Sequence, residues 1–272
     1  MQLQRKTEDT QMNLSSNTIL ITGGSSGIGL GLAAALSALD NTVIVTGRDP
    51  VKLDQAQRKV PNLHVMRSDV ADPQAVASLY AAIAQRFPAL NMLINNAGIM
   101  RKINMQDARV DALDITREID TNLVAPIRMI KQFLPLLRSR PAAAIVNVSS
   151  GLAFVPLPIS PVYCATKAAL HSFTLSLRIQ LQRTHIKVFE LIPPGTDTPL
   201  FTGDFDAQDV EGLKPMRVDV LVAHALAGLR KDRLEIRPGL SNLLQVMSRV
   251  APRFMLRQLS KPAARMQADR GT

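Results

Sequence analysis

Short β-branched apolar runs along the chain are separated by longer stretches in which apolar residues recur with helical spacing. Six runs predict buried strands: Thr18–Thr22, Thr42–Thr46, His64–Arg67, Met92–Ile94, Ala143–Val148 and Lys187–Ile192. The helical spacing covers Ile28–Leu39, Pro50–Lys59, Pro73–Phe87, a long stretch of about Met105–Leu137, and Val162–Arg183. Strands that lack in/out alternation belong to parallel sheets covered on both faces, so this order predicts an α/β fold with a doubly wound parallel sheet.

No linker, internal repeat or low-complexity segment divides the 272 residues, so a single domain is expected. We expect residues 1–12 to be a disordered extension, residues 13–238 to form the domain, and residues 239–272 to be a basic, helical C-terminal extension. After Ile192 the regular pattern loosens into a long loop in the position of a lid, marked by Pro193, Pro194, Pro199 and Gly203.

The positive charge of the chain is concentrated near its C-terminus. The net charge is +10, and residues 230–272 hold ten Lys or Arg against three Asp or Glu. The remaining sequence is close to neutral, which argues against a nucleic-acid-binding core. One cysteine allows no internal disulfide and fits a cytoplasmic protein. The four histidines have no metal-ligand spacing, so no metal site is expected.

A glycine-rich turn joins the first predicted strand to the first predicted helix, with the sequence Thr22-Gly23-Gly24-Ser25-Ser26-Gly27-Ile28-Gly29. Glycines permit a tight turn and let backbone N–H groups approach a pyrophosphate, which then faces the positive end of the helix. Strand, turn and helix in this order predict a Rossmann-like, dinucleotide-binding sheet. The candidate contacts are Gly23, Ser25, Ser26, Gly27, Ile28 and Gly29.

The spacing of this turn resembles that of the short-chain dehydrogenase/reductase family, and the resemblance covers roughly residues 17–200. Four further motifs stand in the family's order: Asp69-Val70 after the third strand, Asn95-Asn96-Ala97-Gly98 after the fourth, Asn122 in Thr121-Asn122-Leu123, and Ser150 with Tyr163-x-x-x-Lys167. The resemblance implies an adenine contact at Asp69 and Val70, and an adenosine ribose beside Asn96, Ala97 and Gly98. It also implies a catalytic set of Asn122, Ser150, Tyr163 and Lys167.

The residue chemistry agrees with these implied roles. Tyr163 and Lys167 are four residues apart on a predicted helix and so share a face. A free phenol has a pKa of about 10, and an adjacent ammonium favours the phenolate and draws that pKa toward neutrality. Ser150, at the end of the fifth strand, can donate a hydrogen bond to a substrate oxygen. The resemblance adds that Lys167 binds the nicotinamide ribose and that Asn122 holds a water that relays protons to Lys167.

The loop after the sixth strand departs from the family's P-G-x-[VI]-x-T pattern. Aligned on Pro193 and Thr198, the sequence has Pro194 in place of the family's glycine and Thr196 in place of its Val or Ile. Because proline fixes φ and removes an N–H, we expect a stiffer loop. The resemblance implies that Pro193, Thr196 and Thr198 hold the nicotinamide carboxamide. The double proline, with Ile236-Arg237-Pro238-Gly239 and Ala251-Pro252-Arg253-Phe254, is similar to the DltE-type subgroup of the family.

The end of the second strand bears on the choice of cofactor. Enzymes of this fold that prefer NAD carry an acid there, but Gly47 occupies the position and Arg48 follows it. A guanidinium pairs well with a 2′-phosphate, so NADP(H) is the predicted cofactor, with NAD(H) as the alternative. Asp49 could instead turn toward the ribose, but we expect it to cap the next helix, with Pro50 at that helix's first position.

These observations predict a cytoplasmic oxidoreductase that transfers a hydride between NADP(H) and a carbonyl or alcohol substrate. A hydrophobic substrate is expected from the apolar residues Phe154, Val155, Leu157, Ile159, Leu200, Phe201 and Phe205. A catalytically silent nucleotide-binding sensor or scaffold on the same fold is the alternative. Cys164 is interpreted as a small buried residue.

Two regions of the sequence, the two long helices and the basic C-terminal segment, predict contacts with partners. The resemblance implies a homodimer or homotetramer that pairs through the two long helices, about Met105–Leu137 and Val162–Arg183. In the C-terminal segment, Arg249, Arg253, Arg257, Lys261 and Arg265 recur every four residues. We interpret them as a solvated basic face, partly paired with acidic residues of the body or of another subunit. Contact with an anionic membrane surface is the less favoured interpretation.

Overall fold

A seven-stranded parallel sheet runs through the computed structural model, which describes residues 11–111, 113–206, 209, 214–260, 262–263 and 266. The strands are β1 (Thr18–Thr22), β2 (Thr42–Gly47), β3 (His64–Arg67), β4 (Leu90–Asn95), β5 (Ala143–Val148), β6 (Ile186–Leu191) and β7 (Glu235–Ile236). Their order is β3-β2-β1-β4-β5-β6-β7, and every neighbouring pair is parallel. The strand order therefore reverses between β1 and β4, which confirms the doubly wound sheet and opens a crevice there.

Helices cover both faces of this sheet, and their bounds are α1 (Gly27–Ser37), α2 (Pro50–Lys59), α3 (Pro73–Arg86), α4 (Arg117–Ile119), α5 (Ala125–Arg138), α6 (Pro161–Leu181), α7 (Pro199–Thr202), α8 (Val218–Arg230), α9 (Leu240–Val250) and α10 (Pro252–Leu259). On β1, Ile19 and Ile21 pack with α1 and α8, whereas Leu20 between them packs with α3, α5 and α6. Both faces of β1 are thus buried, which explains why its sequence shows no polar alternation.

Local capping fixes where the early helices begin. The Asp49 side chain accepts hydrogen bonds from the backbone N–H groups of Val51 and Lys52, at 2.9 and 3.2 Å, and Pro50 opens α2. Asp72 does the same for Gln74 at the start of α3. The expected cap at Asp49 is therefore confirmed, and the observed bounds of the six predicted strands and of α1, α2, α3 and α6 lie within two residues of the predicted ones.

The predicted long helix of about Met105–Leu137 is wrong in its first half. Residues 105–111 form turns, because Asn104, Asp107 and Asp111 accept hydrogen bonds from backbone N–H groups two residues further on. Such side-chain bonds compete with the helical backbone pattern. Regular structure then begins as a 3₁₀ turn (Asp114–Thr116), α4, a π-helical turn (Asp120–Val124) and α5.

The chain after β6 contains structure that the sequence pattern did not reveal. A single parallel bridge between Thr196 and Met216 closes the base of the predicted lid loop, and α8 and β7 follow. The predicted C-terminal extension contains α9 and α10, while most of residues 261–272 lie outside the described residues. Residues 1–10 of the predicted N-terminal extension also lie outside them. Met12 is buried in the core, so the ordered domain begins before the predicted boundary.

The Asp49 cap gives a stability prediction. Replacing Asp49 with Ala removes the acceptor for two N–H groups of α2, so the free energy of unfolding should fall by about 1 kcal/mol. Asp49→Asn is the matched control, because Asn caps about as well as Asp. Urea denaturation of the three proteins measures the difference, and an Ala variant as stable as the Asn variant would show that the cap contributes nothing.

Candidate active site

The glycine turn after β1 is clamped to the end of β4. Gly23 has a φ of +64°, and a Cβ on it would lie 2.8 Å from the Cα of Ala97. Asn96 donates its side-chain N–H groups to the carbonyl oxygens of Thr22 and Gly23, both at 3.0 Å. The Thr22 hydroxyl oxygen accepts from the backbone N–H groups of Asn96 and Ala97. These contacts join Asn96 and Ala97 after β4 to the glycine turn after β1.

The start of α1 fits an anionic group. Ser26 precedes the helix with an extended backbone, its side chain makes no capping hydrogen bond, and the described first turn holds no acidic residue. The first N–H groups of a helix lack internal partners and carry a partial positive charge. Gly27, with a φ of +52°, lies beside Thr198, whose methyl carbon would be 3.1 Å from a Cβ at that position. The turn therefore has the backbone and the charge that a pyrophosphate requires.

The predicted adenosine-side residues lie across β2 and β3. A Cβ on Gly47 would lie 3.3 Å from the Ser25 hydroxyl oxygen, so a larger residue at position 47 would crowd the turn. Arg48 is exposed and forms no ion pair with another described residue. Asp69 follows β3, where its carboxylate accepts the N–H of Ala71 at 3.0 Å. Val70 beside it is buried.

The predicted catalytic residues lie on the other side of the turn, around β5 and α6. Tyr163 is buried in the first turn of α6, and Ser150, which follows β5, is close enough to lower the pKa of its phenol. The Ser150 hydroxyl oxygen accepts the N–H of Leu152 at 3.1 Å, so its proton is available for donation. Lys167, one turn beyond Tyr163, donates to the carbonyl oxygen of Val148 at 2.9 Å. Its ammonium nitrogen lies 5.6 Å from the centre of the Tyr163 ring.

Asn122 lies in the π-helical turn, fully buried, and fixes that turn to the loop after β4. Its side-chain N–H groups donate to the Ile99 carbonyl at 2.8 Å and to the Thr166 hydroxyl at 3.2 Å, and its oxygen accepts the Ile99 N–H at 2.9 Å. A Cβ on Gly98 would lie 3.3 Å from this oxygen and 3.8 Å from the Lys167 nitrogen. Gly98, Asn122 and Lys167 therefore meet in one place. π-Helical turns occur frequently at functional sites.

Burial controls the protonation of the two central side chains. Burial raises the pKa of Tyr163 above its ordinary value, the hydrogen bond from Ser150 lowers it, and Cys164 and Glu118 raise it. Burial lowers the pKa of Lys167 to about 8, against a smaller raising effect of Glu190. Lys167 is not among the groups that shift the Tyr163 pKa, so the expected lowering by the ammonium is not observed in the chain alone, where burial dominates. Tyr163 therefore holds its proton at neutral pH, ready to donate it.

The loop after β6 closes against the same region. The carbonyl of Pro193 accepts the N–H of Gly151 at 2.9 Å, and the Thr196 hydroxyl donates to the Pro194 carbonyl at 2.8 Å. Thr198 precedes α7 and approaches Gly27 of the glycine turn. The three predicted carboxamide residues, Pro193, Thr196 and Thr198, thus lie between the turn and Ser150.

Sequence reasoning missed the residues that hold this site together. Thr166 supports Asn122 and donates to the Tyr163 carbonyl at 2.7 Å, and its place inside the Tyr-x-x-x-Lys motif was the available signal. Glu118 is fully buried and accepts the Arg101 N–H at 3.0 Å, and nothing in its sequence context marks it. Cys164 is buried as expected, and burial raises the pKa of its thiol to about 11, which makes it an unreactive thiol.

Comparisons with known proteins agree with this geometry. The sequence model of the family described as short chain dehydrogenase matches residues 17–209. Among curated proteins, the Bacillus subtilis (strain 168) protein named uncharacterized oxidoreductase DltE is 44% identical over 227 residues, which are 83% of this chain and 89% of that one.

Two solved structures of similar fold are complexes with nicotinamide cofactors. A Sphingobium yanoikuyae short-chain dehydrogenase in complex with NADPH has a TM-score of 0.73 and 27% identity, over 81% of this chain and 86% of that one. A Burkholderia phymatum short-chain dehydrogenase/reductase in complex with NAD has a TM-score of 0.77 and 18% identity, over 88% of this chain and 95% of that one. The chain belongs to the short-chain dehydrogenase/reductase family and is a dehydrogenase/reductase.

Proposed function

We propose that the protein interconverts a carbonyl and an alcohol with NADP(H), and that Asn122, Ser150, Tyr163 and Lys167 form its catalytic set. The observation that carries the proposal is the buried Tyr163 ring, whose centre lies 5.6 Å from the ammonium nitrogen of Lys167 one helical turn away, with Ser150 beside it. A binding module needs no buried proton donor at this place, which argues against the silent-sensor alternative.

The nicotinamide cofactor, when bound, supplies or takes the hydride. In the reducing direction, Tyr163 donates its phenolic proton to the substrate oxygen as the hydride reaches the carbonyl carbon, which completes the alcohol. Ser150 donates a hydrogen bond to the same oxygen while negative charge develops on it. The phenolate left on Tyr163 then lies near the Lys167 ammonium, whose positive charge favours it until a proton returns.

Asn122 is proposed to support that return of the proton. Both of its side-chain N–H groups are already used by Ile99 and Thr166. A water that relays protons to Lys167 would therefore be held by backbone groups of the π-helical turn, and the Asn122 side chain would keep that turn in shape.

The substrate is proposed to be hydrophobic, although some of the residues predicted to line its pocket instead pack inside the protein. Val155 and Ile159 are buried, and Phe154 packs edge-on against the ring of His171, with 5.2 Å between ring centres. Other half-buried apolar side chains support the proposal instead: Leu152, Leu157, Leu200, Phe201 and Leu244. They come from the loop after β5, from α7 and from α9.

Tyr163→Phe should lower kcat by about 10²- to 10⁴-fold, because it removes the general acid and leaves the ring in place. Binding of NADPH, followed by its fluorescence, should change little. Tyr80→Phe is the matched control, since the only other tyrosine is on α3, where its ring packs edge-on against Phe133. A Tyr163→Phe enzyme with near-normal turnover of any carbonyl found in a reductase screen would end the assignment.

The preference for NADP(H) is proposed from Arg48, since Asp49 is engaged in capping α2. Arg48→Ala should weaken NADPH binding by at least about tenfold, because a hydrogen bond to a charged group contributes about 1.5–3 kcal/mol. NADH binding should hardly change. Arg58→Ala, at the far end of α2, is the control. Equal dissociation constants for the two cofactors in the wild type, or a ratio that Arg48→Ala leaves unchanged, would remove this role.

We also propose a cytoplasmic homodimer or homotetramer. Members of the family generally form oligomers, and α5 and α6 leave large apolar side chains exposed: Ile127, Leu175 and Ile179. These lie on the helices that the sequence indicated, although the first of them begins later than predicted.

The C-terminal helices support a second proposal, contact with an anionic lipid surface. No helix in the described part of the chain is long and apolar enough to cross a membrane. Arg249, Arg253 and Arg257 are exposed and form no ion pair with another described residue, so the expected pairing with the body is not observed there. Beside them lie six exposed apolar side chains: Leu240, Leu243, Val246, Val250, Phe254 and Leu256. Cationic and apolar side chains together on short helices are typical of helices that lie on anionic bilayers.

Vesicle sedimentation tests this surface. The wild type should sediment with vesicles that contain phosphatidylglycerol and not with phosphatidylcholine alone, and added salt should release it. The double variant Arg249→Gln/Arg253→Gln should bind markedly less. No binding to the anionic vesicles, together with an oligomer that Val250→Asp dissociates in light scattering, would assign the surface to another subunit.

A further inference from the structure

A row of polar side chains crosses the sheet under α6. Asn95 of β4 is in register with Asn147 of β5, Asn147 with Glu190 of β6, and Glu190 with Glu235 of β7. Residues in register in a parallel sheet point to the same face, and the 2.9 Å hydrogen bond from the Asn95 amide to the Asn147 side-chain oxygen confirms it here. The interior of the sheet therefore carries a polar line where apolar packing would be the default.

One face of α6 matches this line. Lys167, His171, Thr174 and Arg178 are spaced by four, three and four residues, which places them on one side of the helix. The Asn147 amide donates to the Thr174 hydroxyl at 2.9 Å, and His171 Nδ1 lies 2.8 Å from Glu190 Oε2. Lys167 continues the series toward Tyr163, so the polar line leads into the proposed catalytic set.

Glu190 is the exceptional member of the line. Its side chain is fully buried, and its second oxygen, Oε1, has no hydrogen-bond partner among the described residues. A buried carboxylate with an unsatisfied oxygen is costly unless a cation compensates for it. His171 is one such partner. Lys167, one turn earlier on α6, is a second cation, and Glu190 raises its pKa against the effect of burial.

We propose that Glu190 is a positioning residue for the reaction proposed above. Its carboxylate, oriented by His171, is the counter-charge that keeps the buried Lys167 protonated while Tyr163 gives up and regains its proton. The proposal rests on the proposed catalytic role of Lys167. It assigns Glu190 no contact with substrate or cofactor.

His171 makes this counter-charge depend on pH. Glu190 raises the pKa of His171 through their hydrogen bond, burial lowers it, Glu235 raises it and Arg178 lowers it. The Phe154 ring covers the imidazole from the loop after β5. While His171 is protonated, it neutralises Glu190. As His171 loses its proton with rising pH, its charge no longer offsets that of Glu190, so the Glu190 carboxylate acts more strongly on Lys167.

The test is the pH dependence of kcat/KM for carbonyl reduction. Glu190→Gln keeps the shape of the side chain but removes its charge, so Lys167 should lose its proton more easily. The alkaline limb of the kcat/KM profile should therefore move to lower pH by about one unit, which is the lower end of the effect of a nearby opposite charge on a pKa. Glu190→Asp keeps the charge and should restore most of the wild-type limb. Glu235→Gln is the matched comparison, because Glu235 lies one strand further away and acts on His171 but not directly on Lys167, so it should move the limb less than Glu190→Gln does. An unchanged profile in Glu190→Gln overturns the proposal.

A measurement on the wild type covers the case in which Glu190→Gln does not fold. The NMR signal of the Lys167 side-chain nitrogen should show two titration steps, its own and one at the pH where the His171 ring titrates. A Lys167 signal whose chemical shift does not change at the pH where His171 titrates overturns the role of Glu190. Failure of the proposed function itself has a different signature, since Tyr163→Phe would then retain turnover whatever the pH profiles show.

Discussion

The structure depends on one close contact at the point where the strand order reverses. Asn96 reaches from the end of β4 and binds the Thr22 and Gly23 carbonyls at the end of β1, so the two chain segments touch at backbone distance. Because β1 and β4 diverge into helices on opposite faces of the sheet, this contact forms the floor of the crevice. The first turn of α1, the residues after β5 and the loop after β6 are all positioned relative to that floor.

The chemistry of the site works against the environment that positions it. Burial favours neutral Tyr163 and neutral Lys167, yet the proposed reaction needs a proton on Tyr163 before transfer and a positive charge beside it afterwards. Burial alone thus keeps the proton on Tyr163, but it opposes the positive charge on Lys167. Ser150 offsets part of the cost by stabilising negative charge on Tyr163, and Glu190 offsets part by favouring the Lys167 ammonium. The buried polar line under α6 is therefore understandable as an electrostatic requirement of the site.

The sequence predicted those features that depend on neighbours in the chain. The apolar strands, the cap at Asp49 and the Tyr163–Lys167 spacing need only a few consecutive residues, and each was placed correctly. The segment after Met105 failed because Asp107 and Asp111 bind their own backbone, which a count of apolar spacing does not weigh. The line of Asn95, Asn147 and Glu190 could not be predicted. It depends on the register of β4, β5 and β6, and long segments of chain lie between each of these strands and the next.

The C-terminal segment also differs from the separate extension that its charge pattern indicates. A Cβ on Gly151, the residue after Ser150, would lie 2.9 Å from the Leu244 side chain and 3.2 Å from the Ser241 hydroxyl, so α9 packs directly on the proposed site. Ser241 is fully buried there, whereas Val246 and Val250 on the same helix are exposed. One face of α9 thus forms a wall beside Ser150 while the other carries the exposed apolar surface. Anything that bound that outer surface would therefore bear on the helix that packs beside Ser150, so binding there would be physically coupled to the proposed site.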